Sequence, residues 1–415
     1  MTGAAPGGGP LAPPPAPPPA PPLAPPAAPL VFLVAGEPSG DQLGAKLMAA
    51  LKDATGGRIR FAGVGGPRMA AEGLDSLVPI DELAVMGVVE VLPHIFRILR
   101  RIRQTAAAAR AARPDVVVTI DSPSFTLEVS KRLSGLGVPL VHYVAPSVWA
   151  WKPWRARHIA RDLDHLLVLL PFEPPYFERH GLATTFVGHP VVEDAARPRD
   201  GVAFRRDHGI PAEAPLLAVL PGSRKGEVGR LLPVFAGALR LLKERFPNLH
   251  AVVATVPTVA EDVVAAAATW PVPVTVVHDV EDKLAAFAAS DAALAASGTV
   301  AVELAVAGVP AVIAYRVSAV SAFLAPRLVK VPHVSLPNIL LGREVQPELL
   351  QTRCTPEILA EAVGLLLSDP AARDAQRAAY AEAVAMLRPD EETPSRHAAR
   401  RVLALIGAGM DRQNN

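Results

Sequence analysis

A single cysteine, Cys354, stands in 415 residues. That excludes an intramolecular disulfide and any zinc–cysteine cluster, and it fits a reducing cytosol. Net charge is also nearly absent. Lys plus Arg number 41 against 40 Asp plus Glu, a formal +1, so the whole chain exerts no pull toward nucleic acid. Any electrostatic partner must be met by a local patch. No uninterrupted apolar run reaches the ~18–20 residues of a spanning helix. No Lys or Arg precedes Lys46, which removes the charged start of a secretory signal, and prolines break any apolar stretch there. A transit peptide, rich in Arg, is excluded on the same ground.

What the start of the chain does have is Pro, Ala and Gly. Residues 1–29 hold almost nothing else and are expected to form a disordered or polyproline-like tail. Beyond them the length suffices for two domains of ordinary size, and half the residues are apolar. Strand-like runs alternate with helical stretches, at 31–35, 58–66, 114–125, 137–151, 164–177 and 183–190. A polar stretch, 193–214, interrupts them and reads as a linker with a short helix. The alternation resumes at 216–228, 250–257, 272–279, 290–299 and 309–318, and the chain then reads as helical from Thr355 to about residue 405. Such βα alternation predicts parallel sheets covered on both faces. Two α/β halves facing each other make a cleft, the default place for an active site.

The segment VFLVAGEPSGDQLGAKLM (31–48) is the most informative. A buried strand ends in a tight turn and a helix follows. Ser39 precedes Gln42 by three residues, the spacing of a capping box. Glu37, Ser39 and Asp41 therefore fall at a strand's carboxyl end, where open α/β sheets bind ligands. A dinucleotide fingerprint would put bare glycines there; a carboxylate, a hydroxyl and a second carboxylate suit a hydroxyl-rich ligand such as a sugar.

Three further turns carry candidate chemistry. Asp121 ends the strand of VVVTIDSPSF, as a general base of tuned pKa or as a cap or turn aspartate. In LPGSRKGE (220–227), the N–H groups of Gly222 and Ser223 with Arg224 and Lys225 suit a phosphate, or form an ordinary turn with solvated cations. The GKS or GKT of a Walker loop is missing, which argues against triphosphate hydrolysis. In ASGTVAVELAVAGVP (296–310), Ser297, Gly298 and Thr299 open a helix suited to a diphosphate. Glu303, one turn along, is expected to accept from ribose hydroxyls or to lie on the helix surface; in so apolar a helix its charge needs a partner. GVGGPRMAAEG (63–73) matches a dinucleotide fingerprint only weakly and reads as a tight turn.

Between Glu90 and Asp115 no acid occurs, yet six arginines do. Leu92, Ile95, Leu99 and Ile102 share one helical face, flanked by Arg97, Arg100, Arg101 and Arg103. This basic amphipathic pattern suits an anionic membrane surface or a stripe packed on the sheet. Trp149, Trp151 and Trp154 fall within six residues beside Lys152, Arg155 and Arg157. They suit an acceptor groove, a lipid interface or a loop core alike. The histidines, among them His142, His165 and His189, form no metal-site spacing.

Taken together, AGEPSGD (35–41), GVGGPRM (63–69), MGVVEVLP (86–93), IDSPSF (120–125), HYVAPSVWAWKPWR (142–155), PFEPPYF (171–177), VGHPV (187–191), LPGSR (220–224), SGTVAVELA (297–305) and SLPNILLGREVQPELLQ (335–351) are similar, in the same order, to the lipid-A-disaccharide synthase family. The resemblance runs from about residue 30 to the final helices. The proline-rich tail departs from it. The resemblance implies an α/β chain of GT-B type, two Rossmann-like domains with parallel sheets facing across a cleft. It implies an inverting glycosyltransferase that joins UDP-2,3-diacylglucosamine to 2,3-diacylglucosamine 1-phosphate (lipid X), forming a β-1,6-linked disaccharide and UDP. It also implies work at the cytoplasmic face of the Gram-negative inner membrane, and dimers in which C-terminal segments can be exchanged.

On that resemblance the expected layout is a tail (1–29), an acceptor and membrane-contact domain (30–192), a UDP-sugar domain (193–385) and C-terminal helices that pack back or are exchanged (386–415). Asp121 or Glu37 would be the base. Glu37 and Ser39 would position sugar hydroxyls. Arg224 and Ser297–Thr299 would stabilise the leaving UDP, and Glu303 would hold the ribose. Asn338, Gln346, Glu348 and Gln351 would complete the donor side. No DxD motif stands in a convincing metal loop, so neither metal nor cofactor is expected. Rival readings are a UDP-sugar epimerase on the same scaffold, a transferase acting on a polyprenyl-linked muropeptide, and a non-enzymatic lipid binder. The muropeptide enzyme should carry a GGTGG-type loop near its start, where this chain has GEPSGD.

Overall fold

The computed structural model describes residues 28–83, 95–194, 199–317, 331–389 and 392–413, with side chains described to residue 408. The expected tail to residue 27 and Leu92 lie outside the described residues.

Twelve strands among the described residues form two six-stranded sheets. The first holds β1 (Leu30–Ala35), β2 (Arg60–Val64), β3 (Val116–Ile120), β4 (Leu140–Tyr143), β5 (His165–Val168) and β6 (Ala183–Phe186). The second holds β7 (Leu216–Leu220), β8 (His250–Ala254), β9 (Val274–Val277), β10 (Ala292–Ala296), β11 (Ala311–Tyr315) and β12 (Glu348–Leu350). Every pairing is parallel. The cause is visible in β1. Val31, Leu33 and Ala35 enter one apolar cluster, Phe32 and Val34 the other, and all are buried. A strand apolar on both faces must be covered by helices on both. In the second sheet Leu217 and Val219 face one cluster while Leu216, Ala218 and Leu220 face another.

Strand order decides where ligands can sit. The first sheet runs β2-β1-β3-β4-β5-β6, so its order reverses between β1 and β3. The second runs β12-β11-β10-β7-β8-β9 and reverses between β7 and β10. At such a switch point adjacent crossover helices diverge and open a crevice at the carboxyl ends of the strands. The turns after β1 and β3, and those after β7 and β10, are the four that carry Glu37, Asp121, Arg224 and Ser297.

The chain crosses between the halves twice. After the second sheet, the helix Pro394–Gln413 returns to the first. Its Ala398, Ala399, Val402 and Ile406 are buried in the cluster that contains Leu47 and Leu51 of the helix Pro38–Thr55. The two crossings touch. His189 N–H donates to Leu387 O at 2.9 Å, and at Gly188 (φ +89°) a Cβ would stand 2.3 Å from Pro389.

Two local expectations are corrected here. The helix after β1 starts at Pro38, with extended Glu37 preceding it and no side-chain cap. Proline presets that first turn, so Ser39 lies inside the helix and the capping box with Gln42 does not form. Strand β12 has no counterpart among the strand-like runs: three residues give too short a pattern to separate from a loop.

Candidate active site

Two consecutive non-glycine residues after β3 adopt left-handed backbone, Asp121 (φ +48°) and Ser122 (φ +43°). Each such residue carries a strain of roughly 1–3 kcal/mol that the surroundings must impose. They do so by hydrogen bonds. Asp121 N–H donates to Tyr143 O at 2.9 Å, and Phe125 and Thr126 N–H donate to Ser122 O at 3.0 Å each. The buried Thr126 hydroxyl donates to Asp121 O. The result turns the Asp121 side chain toward β1's turn, where Ser39 Oγ donates to its Oδ2 at 2.9 Å.

Gly36 makes this approach possible. A Cβ there would lie 2.7 Å from Ser122 Oγ. Glu37 is the next residue, half-buried. Its pKa is raised above the ordinary carboxylate value, first by burial and then by the Asp121 charge. A hydrogen bond from the Ser122 backbone and the Arg224 guanidinium oppose the rise. Arg224 belongs to the opposite half, so its charge reaches Glu37 across the cleft.

Asp41 does not join this group. It is 3 % exposed and accepts from Gly66, Arg68 and Met69 N–H at 2.8–3.0 Å. It caps the neighbouring helix Pro67–Ala71. This corrects its reading as a sugar-facing carboxylate and accounts for the short helix after the GVGG turn.

On the other wall, the turn after β7 passes through Gly222 (φ +109°) to Arg224, which precedes the helix Lys225–Arg245. Arg224 is exposed to the cleft. Ser223 N–H turns inward and donates to Glu227 Oε2 at 3.3 Å, so it does not face a phosphate as expected. Glu227 is buried, and burial raises its pKa while Ser223, Arg224 and Arg230 oppose the rise. The sequence reading missed this residue. Its signal was present, since Glu three residues after the cap position is a capping-box acid.

After β10, Ser297 N–H donates to Ala314 O and its Oγ to Val334 O at 3.2 Å. Gly298 and Thr299 are exposed at the turn. Glu303 meets its requirement for a partner inside the protein: Lys283 Nζ lies 2.7 Å from its Oε2. Both line a cleft of about 260 Å³ between the halves, with Gln42, Val191 and Asp194 on the opposing wall. Lys283 is a second missed residue, hidden in an ordinary amphipathic helix.

Asn338, Gln346 and Glu348 are corrected as direct donor ligands. All three are buried. Asn338 Nδ2 donates to Gln346 O and to Glu348 Oε1 at 2.8 Å each, and its Oδ1 accepts from Val345 and Gln346 N–H. Glu348 also accepts from Val334 and Ser335 N–H. Gln346 Nε2 donates to Tyr380 Oη and Ala301 O. Glu348, oriented by Asn338, holds the 334–335 turn behind Ser297, while the buried Gln346 Oε1 has no hydrogen-bond partner among the described residues. Gln351 differs: it is half-buried, with φ +51°, just past the carboxyl end of β12.

The basic helix spans Ile95–Ala112 among the described residues. Ile102 is 2 % exposed in the first sheet's core and Leu99 packs against the same cluster. Arg101 pairs with Glu82 at 2.7 Å. These three therefore serve the fold, correcting their assignment to a membrane face. Phe96 (84 % exposed), Ile95, Arg97, Arg100 and Arg103 remain on the surface. The tryptophans divide as well. Trp149 Nε1 donates to Glu173 Oε1 at 3.1 Å and its ring meets Phe172 edge-on. Trp151 and Trp154 are exposed. His142 and His165 are held low, to about 4, mainly by burial. Among the described residues no group of three or more His, Cys, Asp or Glu could hold a metal ion, and no helix is long and apolar enough to cross a membrane.

Solved structures share this architecture. A UDP-GlcNAc 2-epimerase from Neisseria meningitidis bound to UDP-GlcNAc superimposes with a TM-score of 0.59 at 11 % identity, covering 90 % of this chain and 98 % of that one. MurG from Acinetobacter baumannii gives 0.56 at 17 %, covering 92 % and 99 %. The fold is that of the GT-B glycosyltransferases. A family model described as lipid-A-disaccharide synthetase matches residues 31–402. The lipid-A-disaccharide synthase of Rhodospirillum centenum is 55 % identical over 379 residues, 91 % of this chain and 94 % of the relative. That of Paramagnetospirillum magneticum is 52 % identical over 389 residues, 93 % and 100 %. The chain belongs to the lipid-A-disaccharide synthase family. It is a glycosyltransferase of lipid A biosynthesis, and the epimerase, muropeptide and non-enzymatic readings fall away.

Proposed function

We propose that the protein transfers 2,3-diacylglucosamine from its UDP conjugate to the 6-hydroxyl of 2,3-diacylglucosamine 1-phosphate (lipid X), with inversion. The observation that carries this is the meeting of Glu37, Ser39 and Asp121 at one switch point with Arg224 facing them across the cleft. Asp121 takes the hydroxyl proton as oxygen attacks the anomeric carbon. The anomeric C–O bond breaks on the opposite face and its electron pair leaves with UDP. One displacement inverts the centre, so no covalent nucleophile is needed. Asp121 is assigned as base because its carboxylate already accepts an O–H, that of Ser39. Glu37, whose pKa is raised, holds a sugar hydroxyl. Arg224 and the turn at Gly298–Thr299 stabilise charge on the leaving diphosphate, and Glu303, braced by Lys283, binds the ribose.

In this reading residues 30–192 serve the acceptor and the membrane, and residues 193–385 the UDP-sugar. An anionic inner-membrane surface is met on the cytoplasmic side by Phe96, Ile95 and the arginines beside them. The surface under the helix Pro394–Gln413 accepts the same helix of a second copy in a homodimer. No metal takes part, since Arg224 and a helix N-terminus supply the positive charge. The decisive test is disaccharide formation from UDP-diacylglucosamine and lipid X, with and without EDTA. Product equal in both arms supports the reading; loss with EDTA defeats its metal-free part. UDP-GlcNAc incubated alone should remain unchanged.

A further inference from the structure

Beside the cleft lies a groove of about 590 Å³ that the proposed reaction has not used. Its first wall comes from the loops after β4 and β5, with Trp149, Phe172 and Tyr176; its second comes from Pro332, Ile339 and Met386 of the other half. Its lining is mainly apolar, and its indole donor is already paired. Trp149 Nε1 is bonded to Glu173, and Arg179 lies over the Tyr176 ring at 5.1 Å. A sugar laid here would lose water to a mainly apolar lining and gain few hydrogen bonds in exchange, which is unfavourable. A hydrocarbon chain loses nothing of the kind and gains by burial.

Two neighbours narrow the occupant. Pro332 is two residues from Val334, whose carbonyl holds Ser297 Oγ, so the groove opens beside the turn assigned to the donor diphosphate. The loop that sends Trp149 into the groove also exposes Trp151 and Trp154 to the outside, and interfacial tryptophans favour a lipid boundary. We propose that this groove holds an acyl chain of the sugar-nucleotide donor and sets the preferred chain length. The proposal rests on the transferase reading above.

The test varies the donor acyl length over short chains that stay monomeric in detergent-free buffer, with a short-chain lipid X held constant, and then the reverse. In the wild type, donor KM should fall about fourfold per added methylene until the groove is full. Met386→Trp and Ile339→Trp should shorten the length at which this gain stops. Met386 is 38 % exposed, so that variant folds even if the other does not, and wild-type UDP affinity shows the donor half intact. A break at shorter donors in either folded variant supports the groove. An unchanged donor profile in folded variants, or a shift confined to the acceptor series, overturns it. A wild type that forms no disaccharide overturns the transferase reading instead.

Discussion

Ser39 and Asp121, 82 residues apart in sequence, are joined by one hydrogen bond of 2.9 Å. That bond ties the first turn of the helix after β1 to the left-handed turn after β3. Asp121→Asn keeps the turn, because asparagine tolerates left-handed backbone, and removes the base. Turnover should fall 10²–10⁴-fold while UDP affinity, read by calorimetry, stays put. Ser39→Ala should lower kcat/KM by about tenfold, the worth of one hydrogen bond to a charged group.

Gly36→Ala should hurt turnover more than UDP binding. The new Cβ would stand 2.7 Å from Ser122 Oγ, and relief must come from the turn that carries Asp121. Overpacking of this kind destabilises by about 1–3 kcal/mol, visible in urea unfolding.

Arg224→Ala should slow departure of UDP and also move the pH profile. The guanidinium holds Glu37 down against burial and Asp121. Without it Glu37 stays protonated to higher pH, so any limb of the rate profile that reports Glu37 should shift upward. An unshifted profile would show that the two groups do not communicate.

Glu173 gives the molecule a pH-dependent stability. Burial raises its pKa from 4.5 to about 7, against hydrogen bonds from Leu170 and Trp149. A raised carboxyl pKa favours folding fully below the unfolded value, and that contribution disappears as pH rises from 4.5 through 7. Its size is on the order of 3 kcal/mol. The buried His142 and His165 act in the opposite sense as pH falls from 6.5 toward 4, so the comparison must be between wild type and Glu173→Gln. The difference in unfolding free energy between the two should change from pH 5 to pH 8; a constant difference rules the mechanism out.

Phe96→Ser combined with Trp154→Ser should reduce binding to anionic vesicles without moving the melting temperature, because both side chains are exposed. Ile102→Ser should instead destabilise the fold by about 2–5 kcal/mol, since it lies in the core.

The sequence made the parallel architecture legible because strands buried on both faces read as unbroken apolar runs. It placed Glu37, Ser39 and Asp121 correctly at strand ends, since glycine and proline punctuate those turns. It could not show which polar groups were already spent. Asp41 and Ser39 sit two residues apart in one helix, yet one caps the neighbouring helix Pro67–Ala71 and the other meets Asp121. Asn338, Gln346 and Glu348 look like ligands in a polar string, and only their burial reveals a brace behind a turn. Ile102 and Phe96 share one amphipathic pattern, and which of them faces the sheet depends on the rotation of the helix.

The paired crossings, which touch at Gly188–His189 and Leu387–Pro389, bear on how the halves can turn relative to each other. Two bodies joined by one strand of chain can swivel freely; joined at two adjacent points, they pivot chiefly about the line through both. The two touching crossings therefore restrict relative rotation of the halves chiefly to that one axis. That restriction keeps Arg224, on one half, in line with Glu37 on the other.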